Sequence, residues 1–190
     1  PHSDYLYGLA AMLRQQGVGI TGTEPSGTPA ATIRAMRELY EADPTDPTNS
    51  IALVRAYAST GMTNRAMEVL DAIIANPDSG QLQITAAAEL VAKIFFDIPK
   101  LERALVRLTE VAPDSPEAYY DLAAIRMVSG AIEGSMEALG AALTLSDARL
   151  QSDPEARDIR DDLMTDVRFD PIRSMTLFRE TVGGAVAQEE

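Results

Sequence analysis

Asn49 to Pro77 runs NSIALVRAYASTGMTNRAMEVLDAIIANP, and Glu117 to Leu145 runs EAYYDLAAIRMVSGAIEGSMEALGAALTL. Each stretch is an amphipathic helix, a short turn centred on Gly61 or Gly130, and a second amphipathic helix. In the first, Ile51, Val54 and Tyr57 share one face, and Ala66, Val69, Leu70 and Ile73 face back. In the second, Tyr119, Leu122, Ala123 and Ile125 are answered by Met136, Leu139, Ala142 and Leu143. A helix pair that recurs along a chain cannot bury its apolar faces alone and stacks on its neighbours, so the pattern predicts an all-α solenoid.

Working outward, the same punctuation continues. Thr28 to Ala42 predicts a helix with Pro29 in its first turn and Ile33, Met36, Leu39 and Tyr40 as its stripe, ended by Asp43-Pro44. Gln81 to Phe96 predicts one long apolar helix, turned at Asp97-Ile98-Pro99 into a return through Leu101, Leu105, Leu108 and Val111. Ser115 and Pro116 read as an N-cap and first helical residue. Ser3 to Gln16 predicts a first helix, separated from the next by the Gly-, Thr- and Pro-rich loop 17–29. Ser152-Asp153-Pro154 predicts the start of a charged helix, and Asp170-Pro171 the start of another reaching about Val182. The expected organisation is one domain over 1–190 with about ten helices. It comprises a degenerate pair at 3–42, repeats at 48–77, 81–112 and 115–146, capping helices at 152–182 and a tail at 183–190.

Composition narrows the function. A net charge of −13 leaves no basic stripe for phosphates, which argues against nucleic acid and against an anionic membrane surface. The absence of cysteine removes disulfides, thiolate chemistry and Cys-based zinc sites. No apolar run reaches the ~18 residues of a membrane span, and no signal-peptide core is visible, so compartment stays open between cytoplasm and periplasm. The start at Pro1 leaves upstream sequence open.

The two clear pairs resemble the tetratricopeptide repeat, whose unit is about 34 residues. Leu53-Val54, Tyr57, Gly61, Ala66, Leu70 and Pro77 take the places of its small and bulky residues in the first pair. Tyr119, Leu122-Ala123, Gly130, Ser135, Leu139 and Ala142 do so in the second, while Ala92, Ala104 and Leu108 fit loosely between. VRFDPIRSMTLFRE (Val167 to Glu180) is similar to the Asp-Pro-containing segments that often follow such arrays. The resemblance implies a right-handed superhelix of antiparallel helix pairs and a protein-binding scaffold without catalytic residues, cofactor or metal. It also implies that the first helix of each pair lines a concave groove. Mapped by motif position, Ile51 and Arg55, Glu89 and Lys93, and Tyr120 and Ala124 then face that groove, with Arg55, Lys93 and Tyr120 best suited to grip a peptide or carboxylate. The carboxylate clamp of chaperone-binding members needs Lys and Asn here, and Ile51, Ala52 and Asp121 depart from it.

Other motifs carry less. Gly17-Val18-Gly19-Ile20-Thr21-Gly22 satisfies G-x-G-x-x-G, but a helix precedes it where a dinucleotide site needs a strand. His2 is the sole histidine, which leaves no Ser-His-Asp triad and no histidine metal site. Glu155, Asp158, Asp161 and Asp162 have a cation-site spacing, yet Arg157 and Arg160 interleave them, which favours a solvated ion-paired face. Two alternatives stay open: an accessory domain of a larger, membrane-anchored enzyme, and self-association through an end of the solenoid.

Overall fold

A computed structural model describes residues 28–183. The expected helix at Ser3 to Gln16, the loop before Thr28, the G-x-G-x-x-G motif and the C-terminal tail lie outside the described residues. Every element within them is helical, with no strand. They divide into two compact units, with the boundary along the chain between Arg107 and Leu108.

The first unit contains α1 (Pro29–Ala42), α2 (Pro47–Ser59), α3 (Thr63–Ala75) and α4 (Gln81–Leu90). A π turn, Val91–Phe95, and most of α5 (Ile98–Val111) complete it. Proline opens α1 and α2, and the side chains of Thr28 and Asp46 accept the amides of Ala31 and Thr48. These caps satisfy donors that a helix start leaves orphaned. α1 packs on α2, α2 on α3, and both α2 and α3 on α4. Leu53, Val54, Ala66, Leu70, Ile73, Ile84 and Ala87 form the core.

The second unit holds α6 (Pro116–Val128), α7 (Ile132–Ser152), α8 (Ile159–Thr165), a 3-10 stretch (Val167–Ile172) and α9 (Thr176–Gly183). α6 and α7 form its central hairpin, and α8 touches both. The 3-10 stretch lies on α6, and α9 packs on α7. Buried Ser135 donates to the Ala123 carbonyl at 2.7 Å, bonding the two helices where Ala66 makes only an apolar contact in the first repeat.

The α2–α3 and α6–α7 hairpins turn by the same hydrogen bonds. Met62 N–H donates to Tyr57 C=O (2.9 Å) and Gly61 N–H to Ala58 C=O (3.1 Å). Ala131 N–H to Arg126 C=O (2.8 Å) and Gly130 N–H to Met127 C=O (3.1 Å) repeat the pattern. This is the Schellman closure, which needs a left-handed residue after the helix, and the glycines supply it at φ 74° and 83°. Residues 91–99 contain no glycine, and the middle hairpin turns differently. The Gln81–Phe96 helix ends early as an α-helix, loosens into the π turn, and leaves Phe96 left-handed at φ 54° and 74% exposed. For a residue with a Cβ that conformation costs roughly 1–2 kcal/mol.

Two helix starts differ from the sequence expectation. α7 runs on to Ser152, so Ser152-Asp153-Pro154 closes a helix, and α8 begins at Ile159 with Asp158 capping the Arg160 amide. Pro171 sits inside the 3-10 stretch, and the following α-helix starts only at Thr176.

Candidate functional site

α2 buries Ser50, Leu53, Val54 and Tyr57, which leaves Arg55 exposed and Ile51 half-buried on another side. α4 buries Gln83, Ile84, Ala87, Ala88 and Leu90, and Glu89 and Lys93 project from the remainder. Their side chains pair at 3.7 Å, across one helical turn. A polar joint holds the two helices side by side. Gln83 Nε2, fully buried, donates to Ser50 Oγ (2.9 Å) and to the Pro44 carbonyl (3.0 Å). Three expected groove residues, Ile51, Arg55 and Glu89, therefore sit on two neighbouring helices of one unit, and Lys93 lies in the π turn that follows α4. Arg55 makes no hydrogen bond or ion pair among the described residues. Asp97, after the irregular turn, caps the Lys100 amide.

Tyr120 departs from the expectation of an open gripping side chain. It is 7% exposed, its hydroxyl donates to Asp166 Oδ2 at 2.9 Å, and its ring lies 5.6 Å from that of Phe169. Ala124 is fully buried. For Tyr120 the physical cause is the 3-10 stretch on α6 and its cap, whose Phe169 and Asp166 lie against its ring and hydroxyl, whereas the counterpart Ile51 is half-buried.

Asp166 is the hub of this cover. It is fully buried, caps the Arg168 amide at 3.0 Å, and accepts from the Arg168 guanidinium at 2.9 Å and 2.5 Å. Arg173 donates to the Asp166 carbonyl at 2.8 Å and to the Met164 carbonyl at 2.7 Å. Burial disfavours charge on both Asp166 and Arg168, but the bonds between them outweigh it, holding the carboxyl below its ordinary value and raising the guanidinium. Burial, then the bond to Asp166, pushes the Tyr120 phenol up. Burial also pushes the neighbouring Asp121 carboxyl up to about 6, against the attraction of Arg168. The sequence reading missed Asp166. Its one local signal is an Asp two residues before an Arg at a helix start, a capping pattern.

In the acidic run after α7, Asp158 and Asp162 are ion-paired. Arg157 binds Asp162 (2.7 Å), and Arg160 bridges Asp147 (2.6 Å) and Asp158 (3.4 Å). Among the described residues no group of His, Cys, Asp and Glu has the arrangement of a metal site. None of their helices is long and apolar enough to cross a membrane.

Residues 26–94 match the family model of the tetratricopeptide repeat. Over these residues the chain is similar to tetratricopeptide repeats. The match spans α1 through α4, and so includes Ile51, Arg55, Glu89 and Lys93. No curated protein and no solved structure matches the chain. Tetratricopeptide repeats generally mediate protein–protein contacts and are typically not enzymes.

Proposed function

We propose that the chain is a non-enzymatic interaction scaffold that holds a segment of a partner protein against the first helices of its tetratricopeptide repeats. What supports this reading is that two packed helices, α2 and α4 with the π turn that follows it, each leave a side open. Each helix buries its apolar side, and the side left over carries Arg55 next to half-buried Ile51, and Lys93 with Glu89. Apolar contact supplies area and the cations supply orientation, the combination that helical grooves use on extended or helical partners. Tyr120 belongs to the internal packing of α6 and is not assigned to this surface.

The test compares wild-type protein with the Arg55→Glu/Lys93→Glu variant as bait in lysate of the native organism, with circular dichroism to show that both are helical. A partner captured by wild type and lost by the folded variant is the expected result. Equal capture by both would remove the assignment.

A further inference from the structure

By repeat register, set by the two Schellman glycines, Tyr120 and Ala124 on α6 are the counterparts of Ile51 and Arg55 on α2. One pair is covered and the other is open. The cover on α6 belongs to the chain itself, and its chemistry is visible. In a 3-10 helix the side chains at i and i+3 eclipse, so one edge of Val167–Ile172 and its cap carries Asp166, Phe169 and Ile172. All three are buried to within 1%. The segment thus offers α6 a carboxylate, an aromatic ring and a branched aliphatic chain in a row. The carboxylate accepts from the hydroxyl of Tyr120, and the Phe169 ring lies tilted against the Tyr120 ring at 5.6 Å between centroids.

We propose that the open face of α2 at Ile51 and Arg55 takes a short acidic segment of the pattern Asp-x-x-Phe-x-x-Ile from a partner protein. The proposal rests on the groove reading above and adds the ligand class. Ile51 supplies apolar surface for the aromatic ring. Arg55 replaces Ala124 one turn along and supplies a cation for the carboxylate, which on α6 is instead neutralised by Arg168 of the covering segment itself. Because the chain carries a net charge of −13, it repels an acidic segment at long range, and attraction must come from Arg55 at short range. That concentrates the electrostatic part of binding on one exposed side chain.

The probe is a fluorescent peptide with the sequence of residues 163–175 and the substitution Arg168→Ala, which frees its Asp for an outside cation. Anisotropy is read against the full chain. Saturable binding is expected, weakened at least tenfold by Arg55→Glu in the protein and by Phe169→Ala in the peptide. Arg55 is exposed, so the variant keeps its fold, as circular dichroism can verify. No saturation at about 1 mM protein, a range weaker than ~4 kcal/mol of binding, overturns the proposal. So does binding unchanged in Arg55→Glu, or binding lost only in Tyr120→Phe, which places the peptide on α6. A lysate partner that depends on Arg55, beside a peptide that does not bind, sinks the ligand class and leaves the groove reading standing.

Discussion

Removing one oxygen from Tyr120 tests how the cover on α6 is held. In Tyr120→Phe the ring and its contact with Phe169 remain, and only the 2.9 Å bond to Asp166 is lost. A hydrogen bond to a charged group contributes about 1.5–3 kcal/mol. Asp166 keeps Arg168 and its cap to the Arg168 amide, so the carboxylate is not stranded and the lower half of that range applies, about 1.5–2 kcal/mol. For a chain of this size each kcal/mol lowers Tm by roughly 2–4 °C. The expected fall is therefore about 3–8 °C in a calorimetric scan at pH 7. Asp166→Ala should cost more, about 2–4 kcal/mol, because it leaves the buried Tyr120 hydroxyl and the partly buried Arg168 cation without their partner. In a double-mutant cycle Tyr120→Phe should add little once Asp166 is gone, giving a coupling of at least ~1 kcal/mol. A Tyr120→Phe variant within ~0.5 kcal/mol of wild type, or strict additivity with Asp166→Ala, would refute the hub.

Asp121→Asn should stabilise the protein by about 2 kcal/mol at neutral pH, since a carboxyl raised to about 6 is favoured folded only when protonated. Stability from a raised acid is present below its unfolded value and lost as pH rises through 6, so melts should show the variant's advantage vanish below about pH 4. Asp166 has the opposite sign. Its lowered carboxyl contributes above the ordinary Asp range and is lost as pH falls, so the Asp166→Asn penalty should shrink under acid. Gly61→Ala and Gly130→Ala should each cost about 1 kcal/mol by urea denaturation, because a Cβ disfavours φ 74° and 83° although the space around both is open; a neutral result would deny the left-handed closure. Asp71 pairs with buried Lys100 (2.5 Å) and exposed Arg103 (3.0 Å). Asp71→Ala should cost about 2–3 kcal/mol by stranding Lys100, and Arg103→Ala under ~1 kcal/mol, with equal losses contradicting the burial argument.

The helix pairs were legible because their signals are local. Periodic apolar residues mark a buried side, a proline and a capping oxygen mark a start, and a glycine marks a left-handed stop. Residues 48–77 and 115–146 carry all three. The middle hairpin was legible only in outline. Nothing in VAKIFFDIP announces a π turn, and no glycine stands there to mark the left-handed stop that Phe96 makes. Helix continuation through Ser152 was hidden for a related reason. Ser-Asp-Pro serves as a start signal, but packing of α7 carries the helix to that point before it breaks.

The site divides along the same line. The sides that Ile51, Arg55 and Glu89 take on α2 and α4 follow from helical period, whereas Lys93 lies in the π turn beyond α4. Tyr120 has the same motif position as Ile51, and period alone makes it equivalent. What separates it is a contact with Asp166, forty-six residues along the chain. Local sequence therefore determined the helices, their turns and the side each residue takes, because those follow from short-range sterics and burial. Which of two equivalent helix faces stays open was decided by tertiary structure, because it depends on where a distant segment finds a charge partner and an aromatic surface to cover.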